Sequence, residues 1–382
     1  MTAPPAGVSE RAMRVYRDAV VIDAHNDLPS KVLNEHYDPD ARHASGAGHS
    51  DLPRLLESGL AAVWLVAWVD APYARHGPGA SFARAMRLID VVHDLAARHP
   101  DRAVVATRAD DVLRARREGR LALCIGVEGG HAIESSLDNL RAFHARGARY
   151  LTLTWNNGND WAGSSIGSDD TRTGGLTAFG ESVVRELNRL GMLVDLSHVS
   201  EATFADAVAV SSAPVIASHS SARALADHPR NLTDDQLRAV ARTGGVVCVN
   251  FFPRFIDAGF RAAIELVEAR AAALAAAQRA AGADAASADR DAAALERELA
   301  AGVPRTPLAV LVDHIAHIAR VAGVEHVGLG SDFDGITYTP AGMEDVTALP
   351  RIAQSLLDRG WPDRDIHAVL GGNLLRVMRA VL

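Results

Sequence analysis

Six residues with ligand or acid/base chemistry stand where apolar runs stop. VVIDAHND carries His25 and Asp27, LCIGVEGG ends in Glu128 before two glycines, and LVDLSH and PVIASH end in His198 and His219. VGLGSDFDG carries Asp332. His25 and Asp27 are two residues apart, so on a strand both side chains leave the same face. Buried strands rarely finish in charged or imidazole groups unless those groups have partners. Taken singly, each residue reads as a satisfied core histidine or a capping acid. Taken together they read as a metal centre, because imidazole nitrogen and carboxylate oxygen are the donors that borderline and hard divalent ions prefer.

The ligand count suggests two ions. His25 and Asp27 would serve one and His198 and His219 the other, with Glu128, on a strand between the two pairs, as the bridge. Paired ions activate a shared water and polarise a carbonyl beside it, which is the chemistry of hydrolysis. The G-x-S-x-G string at 163–167 lies outside the apolar runs, so no strand-end elbow signals a protein nucleophile. Asp332 opens a DFDG turn and could take a proton from the attacking water and return it to the leaving amine. Asp334, two residues on, is the competing candidate, or simply stabilises the turn. Arg230, in HPRNLT, offers a planar guanidinium that could grip a substrate carboxylate bidentately. From spacing alone, a surface ion pair explains it equally well.

Eight strand-like runs must position these groups: 20–25, 61–69, 121–128, 150–155, 193–198, 214–219, 245–251 and 326–333. Near-continuous apolar runs fit parallel strands covered on both faces. Helical patterns alternate with them. Thr107, Ser136, Ser200 and Thr233 precede four, and Thr306-Pro307 opens a fifth that Gly323 closes. Eight β/α repeats predict a (β/α)₈ TIM barrel, with an open doubly wound sheet as the alternative. In the barrel, active sites gather at the C-terminal ends of the strands, where the six residues lie. Residues 258–302, after the seventh strand, are Ala-rich with scattered charges. Helix propensity and the Gly282-Ala283-Asp284 turn predict a helical hairpin inserted there, either solvated, walling the pocket, or making a dimer contact.

With 382 residues the chain has room for one large domain, and the β/α rhythm runs through all of 1–382. A net charge of −8 and the lack of a Lys/Arg block exclude non-specific nucleic-acid binding. Cys124 and Cys248 both lie in apolar runs and read as small core residues. The N-terminal stretch lacks the apolar core that drives export, and no run reaches the length of a membrane span. The default expectation is a soluble cytoplasmic protein without a membrane partner.

These blocks, in this order, resemble the renal (membrane) dipeptidase family, peptidase family M19 of the amidohydrolase superfamily. The similarity rests on IDAHNDLP (22–29), IGVEGGHAIESSL (125–137), RYLTLTWNN (149–157), GLTAFGESVVRELNRLGMLVDLSHVS (175–200), PVIASHSSARAL (214–225), RNLTDDQL (230–237), LVDHIAHIARVAG (311–323) and GLGSDFDG (328–335). It covers the chain from about residue 17 onward. The resemblance implies a barrel with a binuclear zinc site that hydrolyses dipeptides and tolerates a D-residue at the C-terminal position. Carried over by residue, His25 and Asp27 bind one zinc, Glu128 bridges, and His198 and His219 bind the other. Asp332 is the acid/base and Arg230 the substrate-carboxylate residue. Family members often form dimers, so a homodimer is among the expected partners, beside a small dipeptide substrate.

One departure stands out. Well-known animal members carry a histidine directly after LTLT, where it helps hold the substrate carbonyl; this chain has Trp155. An indole donates one N–H and carries no positive charge, so it cannot fill every role of an imidazole. Asn156, Asn157 and Asn159 are the candidates to replace that contact. Trp155 therefore keeps open an alternative, a metal-dependent hydrolase of another small amide such as an N-acyl amino acid. A metal-binding protein without turnover is the reading from another class, and Asp332 argues against it. The donor set alone would also accept manganese, cobalt or iron; zinc comes from the resemblance.

Overall fold

Alternation along the apolar runs gives each strand two buried faces, one for a barrel interior and one for a layer of helices. The computed structural model, which describes residues 5–44, 46–167 and 174–382, has this arrangement. Among the described residues nine strands are present: β1 (Ile22–Asn26), β2 (Ala62–Trp68), β3 (Ala103–Val105), β4 (Leu121–Glu128), β5 (Ala148–Thr152), β6 (Leu193–Asp195), β7 (Ile216–Ala217), β8 (Val246–Val249) and β9 (Val327–Leu329). Eight of them close a parallel barrel in the order β2-β1-β9-β8-β7-β6-β5-β4, with β2 pairing β4. The fold is a (β/α)₈ barrel with extra helices.

The short β3 was not anticipated. It pairs with the first residues of β4, Leu121 to Leu123, and β5 takes over that edge from Ile125 onward. Without β3, the first half of β4 would be an open edge.

Alternate residues segregate as the pattern requires. Ala24, Trp64, Val66, Cys124, Tyr150, Ile216 and Cys248 share one interior cluster. Val63, Leu65, Leu123, Leu151, Val247 and Val249 pack with the helices in a larger one. Both cysteines are free and buried, as expected of small core residues. Gly126 is required because the Tyr150 ring occupies the space where its Cβ would be.

The later strands end earlier than the apolar runs suggest. His198, His219 and Asp332 lie two or three residues beyond β6, β7 and β9. Here side chains take the backbone donors that would otherwise extend the ladder. Asp195 Oδ1 accepts from the N–H of Ser197 (3.1 Å) and Ser218 (2.8 Å), and Asp23 Oδ1 accepts from Ser331 N–H at 2.8 Å. The chain then turns sharply, with positive φ at His198 (69°) and Asp332 (62°).

Ser136, Ser200 and Thr233 cap their helices as expected, each accepting a backbone N–H. The Thr107 helix starts later, at Ala109, with Arg108 at the cap, and Pro307 sits just before the first turn of its helix. The 258–302 segment is a hairpin of helices Ala258–Ala280 and Ala285–Ala301, turning at Gly282, where φ is 92°. Its outer part packs on itself through Ala271, Ala275, Ala288 and Ala292. Its base grips the barrel loops: Arg254 donates to Glu268 (2.5 and 3.1 Å), Phe260 meets Tyr338 edge-on, and Arg261 donates to Asp227 O at 2.9 Å. Among the described residues no helix is long and apolar enough to cross a membrane.

Candidate active site

Five of the predicted residues converge at the C-terminal mouth of the barrel. Glu128 lies at their centre. Its Oε2 is 3.4 Å from His25 Nε2, and its Oε1 is 2.8 Å from His198 Nε2 and 3.4 Å from His219 Nε2. Asp27 Oδ2 lies 3.4 Å from His25 Nε2 on the other side. One carboxylate thus faces His25 with one oxygen and the His198 and His219 imidazoles with the other, and all five side chains are buried.

The outer ring nitrogens are each tied down. His198 Nδ1 meets Asn156 Oδ1 at 3.0 Å, and His25 Nδ1 meets the Tyr150 hydroxyl at 3.1 Å. Ser218 Oγ donates its only proton to Asp195 Oδ2 (2.6 Å), so at 2.8 Å it must accept from His219 Nδ1–H. These contacts orient the rings with Nε2 inward, the usual arrangement around a metal-binding histidine.

The result is a cluster of inward-facing ring nitrogens and carboxylate oxygens at close range. His198 Nε2 and His219 Nε2 are 2.8 Å apart. His25 Nε2 and Asp27 Oδ1 are buried with no hydrogen-bond partner. Two ligand sets fall within 4.8 Å: His25, Glu128 and His219, and His25, Asp27 and Asp332. Facing lone pairs and carboxylates at these distances fit divalent cations. The charge balance agrees. Burial lowers the His25 pKa, yet the Glu128 and Asp27 carboxylates outweigh it and raise it well above the ordinary value. Burial holds His198 down at about 3, with Arg230 adding to the effect. The centre calls for positive charge between its ligands.

Asp332 and Asp334 are now distinguished by their surroundings. Asp334 spends both oxygens on structure, accepting from His49 N–H (2.7 Å) and from the Ser50 hydroxyl. Asp332 Oδ2 accepts from Asn250 Nδ2 at 2.9 Å, and its other oxygen faces Asp27 across Gly335. A Cβ at Gly335 would overlap both carboxylates, so the turn needs glycine there. Burial, reinforced by Asp27 and Glu128, pushes Asp332 up to about 7.

Arg230 is buried rather than a surface residue. Its Nη2 donates to His219 O (3.2 Å), its Nε has no partner, and no carboxylate of the described residues pairs with it. The guanidinium lies 5.4 Å from the centroid of Phe255, a cavity-wall residue. Burial lowers its pKa to about 10, so it stays cationic at neutral pH.

The cavity over the centre measures about 260 Å³, and its wall includes Asp27, Glu128, His198, His219 and Asp332. Trp155 and Asn156 line it as well. Asn157 and Asn159 do not: Asn157 turns to His131, and Asn159 braces the loop through Leu153 O, Trp161 N–H and Ala162 N–H. Those two are therefore unavailable to a substrate oxygen in this cavity. No residue of the 258–302 hairpin lines the cavity among the described residues.

Sequence reasoning passed over Asp195, Ser218, Tyr150, Asn250 and Trp68. A signal existed for Asp195 and also for Asp23, since each is an acid inside an apolar run just before a histidine. For Tyr150 and Asn250, which touch residues 125 and 82 positions away, the linear sequence offers none.

Residues 9–382 match the sequence model of membrane dipeptidases, peptidase family M19. The probable dipeptidase PvdM from Pseudomonas aeruginosa superposes with a TM-score of 0.82 at 25% identity, covering 97% of this chain and 98% of that one. A metallopeptidase from Rhodobacter sphaeroides, solved with a phosphinate mimic of the dipeptide L-Ala-D-Ala, gives 0.76 at 26% identity over 95% and 99%. Dipeptidase AC, a metallopeptidase of family M19, gives 0.75 at 27% identity over 95% and 98%. A family match over nearly the whole chain, on a barrel whose mouth carries a cation-seeking cluster, means that the chain belongs to the membrane dipeptidases of peptidase family M19, which are metal-dependent dipeptidases.

Proposed function

We propose that this dipeptidase holds two divalent ions, zinc in the first instance, and cleaves dipeptides with a free C-terminal carboxylate, including those with a D-residue at that position. The observation that carries the reading is Glu128, whose two oxygens face different imidazole groups. His25 and Asp27 would hold one ion and His198 and His219 the other, with Glu128 between them. Bound there, the ions supply Lewis acidity, polarising a carbonyl and activating water.

The remaining steps belong to the protein. Asp332, pinned through Oδ2 by Asn250, takes the proton of the attacking water on its other oxygen and delivers it to the leaving amine. Arg230, a buried cation without a carboxylate partner, binds the C-terminal carboxylate and so excludes substrates that continue past the second residue. The cavity, below the roughly 300–1,000 Å³ of sites for drug-sized ligands, suits a molecule as small as a dipeptide. Tolerance of a D-residue is supported by the Rhodobacter sphaeroides relative, which binds a mimic of L-Ala-D-Ala.

The test is turnover of L-X-L-Y, L-X-D-Y, N-acyl amino acid and tripeptide substrates by zinc-loaded protein, with metal content measured and Asp332→Asn as control. Turnover confined to dipeptides and lost in the control is expected. Cleavage of N-acyl amino acids in preference to dipeptides would replace this reading with the other small-amide one.

A further inference from the structure

We propose that Trp68 and Trp155 form a subsite for the N-terminal residue of the substrate, and that this enzyme prefers dipeptides with an aromatic side chain at that position. The proposal deepens the dipeptidase reading and rests on Arg230 holding the C-terminal carboxylate.

Barrel topology sets the direction. In the closed order of eight strands, β4 and β8 lie diametrically opposite. Phe252 and Phe255 follow β8, and Phe255 lies over Arg230. Trp68 ends β2 and Trp155 follows β5, the two strands that flank β4. Glu128, at the end of β4, reaches from the tryptophan side toward His25, His198 and His219. A dipeptide with its carboxylate toward Arg230 and its peptide bond at the centre must send its N-terminal side chain toward the tryptophans.

The chemistry of that sector is aromatic. The two indoles meet edge-on, with centroids 5.1 Å apart and planes at 64°, and both line the cavity. Such a corner presents one ring face and one ring edge, which a third ring can join in either preferred geometry. Neither indole is fully covered by the protein, whereas Trp64 and Trp161 are each 1% exposed. Apolar surface left open inside a site is surface that a ligand can cover. Asn156 Oδ1 holds His198 and Lys31 pairs with Glu35 at 2.7 Å, while Trp68 Nε1 is buried without a partner.

The experiment is kcat/KM of the zinc-loaded enzyme on an X-Ala series, with X as Gly, Ala, Leu, Phe and Trp. It is run on the wild type, Trp68→Leu, Trp155→Leu and Trp155→Phe, with metal content and melting temperature checked for each. The expected wild-type preference for Phe-Ala over Ala-Ala is about tenfold or more, carried mainly in KM. Trp155→Leu and Trp68→Leu should reduce it to within about threefold, and Trp155→Phe should keep most of it. A flat wild-type series, or a preference that survives both leucine variants, overturns the subsite and leaves the dipeptidase reading standing. Absence of turnover across the whole series, with metal bound, overturns both.

Discussion

Asn250 donates from Nδ2 to Asp332 Oδ2 at 2.9 Å while its own Oδ1 accepts from Phe252 N–H at 2.6 Å. The second contact fixes which end of the amide faces the carboxylate, because only the NH₂ end can then point at Asp332. One residue therefore couples the loop that walls the cavity to Asp332, the proposed acid/base. It also leaves only one Asp332 oxygen free for that task.

Asn250→Ala should lower kcat by about 10- to 100-fold with little change in KM, since Asp332 would keep its charge but lose its orientation. Steady-state kinetics on one good dipeptide would show this. An unchanged kcat would mean that Gly335 and the turn alone hold Asp332 in place.

Ser218→Ala should weaken metal binding by about 10- to 100-fold while leaving the fold intact. Ser218 passes the anchoring of Asp195 on to His219 Nδ1, and Asp195 keeps Thr152 Oγ1 (2.6 Å) when the serine is lost. Competition against a chromogenic chelator measures the affinity. Equal affinity in the variant and the wild type would contradict an anchoring role for Ser218.

Glu128→Gln should abolish paired metal binding, reducing two equivalents to one or none by elemental analysis. Chelation of the wild-type protein should lower its melting temperature as well. A ligand at a thousandfold excess over its Kd stabilises a protein by roughly 4 kcal/mol, and the metal-free site keeps buried carboxylates and imidazoles facing one another. A melting curve indifferent to chelator would argue against a metal centre here.

The fold should be acid-sensitive through His314. Its Nδ1 accepts from Ala222 N–H (3.1 Å) and its Nε2 donates to Ile256 O (3.0 Å), so protonation would set two donors against each other. Burial depresses its pKa to about 4, below the unfolded value of 6.5. A depressed histidine contributes stability that is complete above pH 6.5 and is lost as pH falls toward 4, at roughly 1.4 kcal/mol per unit. His314→Gln can keep both contacts without titrating. Its stability should fall less steeply over that window in denaturant titrations at stepped pH; parallel slopes would clear His314 of the effect.

The convergence of the proposed ligands was legible because each of them breaks an apolar run, and a break of that kind in a buried strand demands a partner. The barrel was legible because the runs alternate with capped helices. Two kinds of information were not. Where each strand stops depends on Asp23 and Asp195 capturing backbone donors from neighbouring strands, a competition decided only once the strands lie side by side. The partners that orient the site, Tyr150 beneath His25 and Asn250 beside Asp332, are ordinary strand and loop residues until folding brings them there. Trp155 drew notice as a departure from the family. Trp68, its neighbour in space, looked like one more apolar residue of β2.

The hairpin divides into a base that grips the cavity loops and an outer half that contacts chiefly itself. That division makes the exposed tip around Gly282 a natural port for protein engineering. A reporter domain, an affinity tag or a surface tether spliced there would hang from two helices, clear of the barrel mouth. Glu268, Phe260 and Arg261 mark how far inward such surgery could reach before it touched the loops beside the cavity.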